Sequence, residues 1–276
     1  MAPMAAFEDQ KMPNGDATPR WDAPPLIEVA PDGKRYLVQP IAPRVVARTQ
    51  LNTPRETWNW VWKDTLGRVA PLLLAAWAYD RFTRWGKEDL GLRGDAPLAD
   101  LALGVAVGLP FSYIAAVFRR FVAPGYKLPT PADQTAQSAF YFLINAPAEE
   151  LFFRGVVQSL ATRGLRKVPG LRRAAGPLGW MFASSVYGGY HRFGNWSWRS
   201  IAGVTAAGGL FGALFALPKR RSLWPAVIVH GFATAGFLSW ADVALYRRDL
   251  RRLRRQYARE EATDTSTSDA DPAAGR

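Results

Sequence analysis

The chain has 276 residues and a formal net charge of +12, with eleven tryptophans, two histidines and no cysteine. Without cysteine it can form neither a disulfide nor a thiolate metal site, so a metal would have to be held by histidine and carboxylate. Its basic residues fall in short stretches between apolar runs and after Tyr246, a pattern that suits anionic lipid headgroups better than groove recognition, so no nucleic-acid partner is expected.

A mean hydropathy of −0.11 averages polar ends with an apolar middle. Residues 1–55 are polar and proline-rich, and the first twenty lack the apolar stretch of a cleavable signal, so a later segment is expected to begin insertion. Within them, Leu26–Val38 reads as two short strands around Pro31-Asp32-Gly33. Apolar segments follow at about Trp62–Tyr79, Leu98–Phe118, Thr135–Leu160, Ala174–Tyr190, Trp196–Leu217 and Leu223–Tyr246. Lys63, Asp64 and Arg68 shorten the first. Leu101–Phe118 and Ser200–Pro218 carry no charge, and Ser222–Trp240 carries only His230. Runs of about 18 residues or more can cross roughly 30 Å of hydrocarbon. Trp58, Trp60 and Trp62, and again Trp196 and Trp198, stand at segment starts, as an interfacial aromatic belt requires. The expected fold is all-α, a polytopic transmembrane helical bundle of about six spans. Residues 1–56 form a polar N-terminal region with a hairpin, 57–246 the membrane domain, and 247–276 a basic segment ending in a disordered tail. Gly104 and Gly108, one turn apart, let another helix approach closely.

The third segment holds Glu149, Glu150 and Arg154 inside an apolar run that begins near Ala139. A charge left in hydrocarbon or a dry core costs several kcal/mol, so such groups persist where they are paired or functional. On a helix Glu150 and Arg154 lie one above the other at i and i+4, and Glu149 points about 100° away. One carboxylate is neutralised locally; the other faces elsewhere. Pro147, just before them, removes a backbone hydrogen bond if it lies within the helix. Both histidines, His191 and His230, sit in or at the end of separate apolar stretches.

Glu149-Glu150-x-x-x-Arg154-Gly155, Tyr187-x-x-x-His191 and His230-x-x-x-Thr234 together resemble the three ordered signatures of the CPBP intramembrane proteases. That group includes the type II CAAX prenyl endopeptidases and the Abi-type bacteriocin-processing or immunity proteins. Tyr187 stands where the family usually has Phe, and Thr234 where it has Asn or Asp. The resemblance implies a membrane endopeptidase acting on a membrane-associated protein or peptide, located in the cell (plasma) membrane among its lipids. It implies Glu149 as general base, His191 positioning the water, and His230 with Thr234 stabilising the oxyanion. Alternatively Glu149, His191 and His230 would be the three ligands of a divalent metal such as Zn, with one position open for water; the resemblance equally allows a site without metal. Two other readings remain open. One is a catalytically weak scaffold or immunity protein, suggested by Thr234. The other is a transporter with a buried Glu-His relay.

Overall fold

The structure, a computed structural model, describes residues 26–268 apart from 32, 43–44, 93–95, 123–130, 195, 218–220 and 235–237. The hairpin expected at the N-terminal side is present as β1 (Leu26–Val29) and β2 (Arg35–Ala42), antiparallel with Glu28 opposite Tyr36. A third strand, β3 (Val45–Leu51), pairs with β2 and extends the hairpin to a three-stranded sheet. A two-stranded ribbon is marginal in water, and the β-branched Val45, Val46 and Thr49 supply the additional strand.

The rest is helical: α1 (Pro54–Asp64), α2 (Ala70–Phe82), α3 (Gly86–Asp89), α4 (Pro97–Val122), α5 (Pro131–Phe140), α6 (Ala146–Glu150), α7 (Ser159–Arg166), α8 (Ala175–Tyr190), α9 (Trp198–Ala216), α10 (Trp224–Thr234) and α11 (Leu238–Ser268). A capping box starts α1. Thr53 Oγ1 accepts the Glu56 N–H at 3.2 Å, and the Glu56 carboxylate accepts the Thr53 N–H at 2.6 Å. That backbone bond holds the Glu56 carboxyl below its usual pKa.

Wide π turns join several of these helices without a break: Thr65–Val69 between α1 and α2, Tyr141–Asn145 between α5 and α6, and Leu151–Gln158 between α6 and α7. The first two end in the i→i−5 bonds Ala70 N–H to Thr65 O and Ala146 N–H to Tyr141 O. Each is followed at once by a proline, Pro71 or Pro147. Proline lacks the N–H for the i−4 bond and its ring crowds that carbonyl, and the wider turn accommodates it without ending the helix.

Two helices among the described residues are long and apolar enough to cross a membrane, Pro97–Arg119 within α4 and Trp198–Ala216. Only 22% and 33% of their apolar windows are buried, so they are not hidden core helices of a water-soluble domain. On α4, Leu98, Leu101 and Ile114 project at 80%, 50% and 59% exposure. This is fewer than the six spans expected. Within the segment expected over Leu223–Tyr246, the described residues form α10 up to Thr234 and α11 from Leu238. Pro225 to Gly231 of α10 are all buried. An uncharged run looks the same in sequence whether lipid or protein surrounds it, and here protein does. At the other end, α11 continues to Ser268, into the stretch expected to be disordered; residues 269–276 lie outside the described residues.

The inner helix α10 packs on α4, and the small pair Gly104 and Gly108 makes this possible. A Cβ on Gly104 would lie 2.7 Å from Ile228, and one on Gly108 2.6 Å from Phe232. The main core joins Leu72, Phe153, Tyr187, Phe211, Leu214, Ala226 and Val229, side chains from five helical stretches.

A separate polar clamp fastens the ends of these helices. Asp89, fully buried, accepts Arg163 Nε at 2.6 Å and Nη2 at 2.7 Å, takes the Tyr79 hydroxyl, and pairs with Arg221 at 3.3 Å. Its bond pushes the Arg163 guanidinium still higher in pKa. Arg163 and Arg221, by sequence ordinary loop cations, are thereby committed to one carboxylate that ties α2, α3, α7 and the approach to α10 together.

Candidate active site

The π-flanked turn α6 sets Glu149 and Glu150 side by side in the core, 1% and 0% exposed. Glu150 is bonded at both oxygens. Oε2 accepts Arg154 Nε at 3.0 Å, the expected i,i+4 pair, and Oε1 lies 2.8 Å from His230 Nδ1. An ionised carboxylate only accepts, so Nδ1 is the donor. His230 Nε2 then faces Glu149 Oε2 at 3.7 Å and the Tyr187 hydroxyl at 3.3 Å. Phe211 stacks on the imidazole, with ring centres 4.8 Å apart and planes at 11°.

Glu149 is oriented from its other oxygen. Oε1 accepts Arg68 Nη2 and Asn145 Nδ2, both at 3.0 Å. Arg68 lies in the first π turn and Asn145 at the end of the second, so the two proline-associated π turns each deliver one donor to the same atom. Arg68 also pairs with Asp64 at 3.1 Å, which holds its guanidinium between two carboxylates. With Oε1 fixed, Oε2 is directed toward His230.

His191 joins through Tyr187. Its Nδ1 is 2.8 Å from the Tyr187 carbonyl, an oxygen that only accepts, so Nδ1 carries the proton and Nε2 keeps its lone pair. The Tyr187 ring stands between the imidazoles, 4.8 Å from His191 and 5.9 Å from His230. The Arg154 guanidinium lies 5.1 Å from the centre of the same ring, and its Nη1 and Nη2 are buried without a hydrogen-bond partner.

Of the residues expected from sequence, Glu150, Arg154 and His230 form one hydrogen-bonded network, Glu149 faces it 3.7 Å from His230, and His191 lies across Tyr187. Thr234 is a different case. Its hydroxyl donates to His230 O at 2.9 Å, one turn back in its own helix, and bonds neither carboxylate. Sequence reading missed three contributors. Asn145 was findable as the i−4 neighbour of Glu149. Arg68 figured only as a charge shortening an apolar segment, and Tyr187 only as a motif position where Phe is usual.

The ligand set Glu149, His191 and His230 does not fit a ready-made metal centre. Among the described residues no group of three or more His, Asp or Glu stands together in a geometry that could hold an ion. The carboxylate that would ligate a dication has an arginine 3.0 Å away, and such neighbours repel.

Residues 131–236 match the family model of the Rce1-like type II CAAX prenyl endopeptidases. The matched stretch contains all three motifs and lies within the expected membrane domain, whereas Arg68 and Asp89 lie outside it. Comparison with curated proteins and with solved structures gives no match. The match and the ordered motifs agree on one family, the CPBP or CAAX proteases, a group of membrane-embedded proteases.

Proposed function

We propose that this chain, whose residues 131–236 carry the CAAX-protease domain, is an intramembrane endopeptidase in which Glu149 activates water for attack on a peptide bond. The observation that carries this reading is the division of labour between the two buried carboxylates. Glu150 is bonded at both oxygens, whereas Glu149 has one oxygen fixed and the other turned to His230.

Glu149 Oε2 takes a proton from water as its oxygen bonds the scissile carbonyl carbon. His230, with Nδ1–H on Glu150, is oriented as a histidine backed by a carboxylate, its Nε2 turned to Glu149 and Tyr187. His191 Nε2, with its lone pair free, accepts a hydrogen bond from the water and holds it. As the tetrahedral adduct collapses and the C–N bond breaks, the proton on Glu149 passes to the leaving amine. Metal is not needed to write these steps. The apolar faces of α4 and α9 support a substrate that arrives from, or is anchored in, the lipid of the cell membrane.

The test is cleavage of an internally quenched farnesylated peptide ending in a CAAX sequence by the purified full chain in proteoliposomes. Cleavage by the wild type that Glu149→Gln reduces by about 10²–10⁴-fold supports the reading. Equal cleavage by both would sink it. One observation favours a second reading, a catalytically weak scaffold of the same fold: the Thr234 hydroxyl is bonded to its own helix, not turned to the site. Biological activity of the chain that survives Glu149→Gln would select that alternative.

A further inference from the structure

Resting on the protease reading, we infer that Tyr187 is a catalytic residue: its hydroxyl donates the hydrogen bond that receives the oxyanion forming beside Glu149. Three polar atoms border that position. They are Glu149 Oε2, His230 Nε2 3.7 Å from it, and the Tyr187 hydroxyl 3.3 Å from that nitrogen. The carboxylate is an acceptor, and His230 has its proton on Nδ1 toward Glu150. Of the three, the phenol alone arrives carrying a hydrogen to give.

No other hydroxyl competes for this role among the motif residues. The Thr234 hydroxyl is held by the His230 carbonyl at 2.9 Å. Tyr187 is also rigidly seated, being 2% exposed. Its ring meets Phe153 edge-on at 5.0 Å, with Phe211 at 6.2 Å on another side. Gly208 of α9 gives the ring its place, since a Cβ there would lie 2.7 Å from Tyr187 Cδ1. A donor fixed before the reaction needs no reorganisation as charge develops, which is the condition for strong oxyanion stabilisation. In the addition step the carbonyl π pair moves to oxygen, the Tyr187 O–H donates to it and keeps its proton, and Glu149 holds the proton taken from water. Collapse returns the pair to the carbonyl, breaks C–N and protonates the amine.

Tyr187→Phe removes one oxygen and leaves the ring, so it isolates the donor. With the farnesylated peptide in proteoliposomes, kcat per folded molecule is expected to fall about 10²–10³-fold, while KM stays within about two-fold. Site-specific 3-fluorotyrosine at position 187 keeps the ring and the O–H and is expected to retain kcat within about ten-fold of wild type; it also guards against a folding loss in the phenylalanine variant. An unchanged kcat in Tyr187→Phe, or a loss confined to KM, overturns the assignment and leaves the protease reading intact. Absence of cleavage by the wild type would remove both together.

Discussion

The protein buries two clusters of carboxylate and arginine, and they are built to opposite specifications. At Asp89 one carboxylate receives two guanidiniums and a phenol, and Arg163 binds it through two nitrogens at 2.6 and 2.7 Å. At Glu149 and Glu150 two carboxylates share one histidine and bind two arginines, Arg154 keeps two nitrogens without partners, and Glu149 Oε2 meets His230 only at 3.7 Å. A buried charge is tolerated when its partners are complete, and a group left incomplete inside a core calls for an explanation such as catalysis. Saturation therefore separates the fastener from the site more sharply than burial of the carboxylates, which is nearly complete in both.

The contrast can be broken by substitution. The largest effect is expected from His230→Ala, which leaves Glu149 and Glu150 without their common partner; kcat should drop by about 10²–10⁴-fold in the peptide assay. Asp89→Ala strands Arg163 and Arg221 and is expected to destabilise the fold by about 3–5 kcal/mol, read as a lower melting temperature, with turnover per folded molecule preserved. Arg68→Ala removes one of two donors to Glu149 Oε1 and should lower kcat about ten-fold, with Arg68→Lys recovering part of the loss. Smallest is the α1 cap. Its Glu56 has a depressed folded pKa, so the stability it adds is complete above the unfolded value and is lost as pH falls through the folded one. Glu56→Gln should flatten that acid limb of the melting profile and leave turnover alone.

The chemistry of the site was far more legible than its frame. Charges and histidines inside apolar runs announce themselves, and the i,i+4 spacing of Glu150 and Arg154 already contains their bond. Partners from distant segments leave no such trace. Arg68 is 81 positions from Glu149, and Arg163 is 74 from Asp89, so one looked like a blemish in a span and the other like a solvated loop cation. Hydrophobicity does not fix the number of spans either. The uncharged stretch at Ala226–Val229 reads alike as a lipid-facing or a protein-facing run, and only its packing against α4, α6 and α9 shows that protein surrounds it. Proline had a similar ambiguity. Pro147 could end, kink or widen a helix, and the π turn before it is what brings Asn145 under Glu149.

The most direct test compares Glu149→Gln with Asp89→Asn in one set of proteoliposomes, reading peptide turnover and melting temperature on each sample. The expected result is a dissociation: the glutamine variant melts close to wild type with turnover abolished, and the asparagine variant melts early but cuts normally while folded. Normal turnover in the glutamine variant, or loss of turnover per folded molecule in the asparagine variant alone, would contradict the assignment of the hydrolytic site to Glu149.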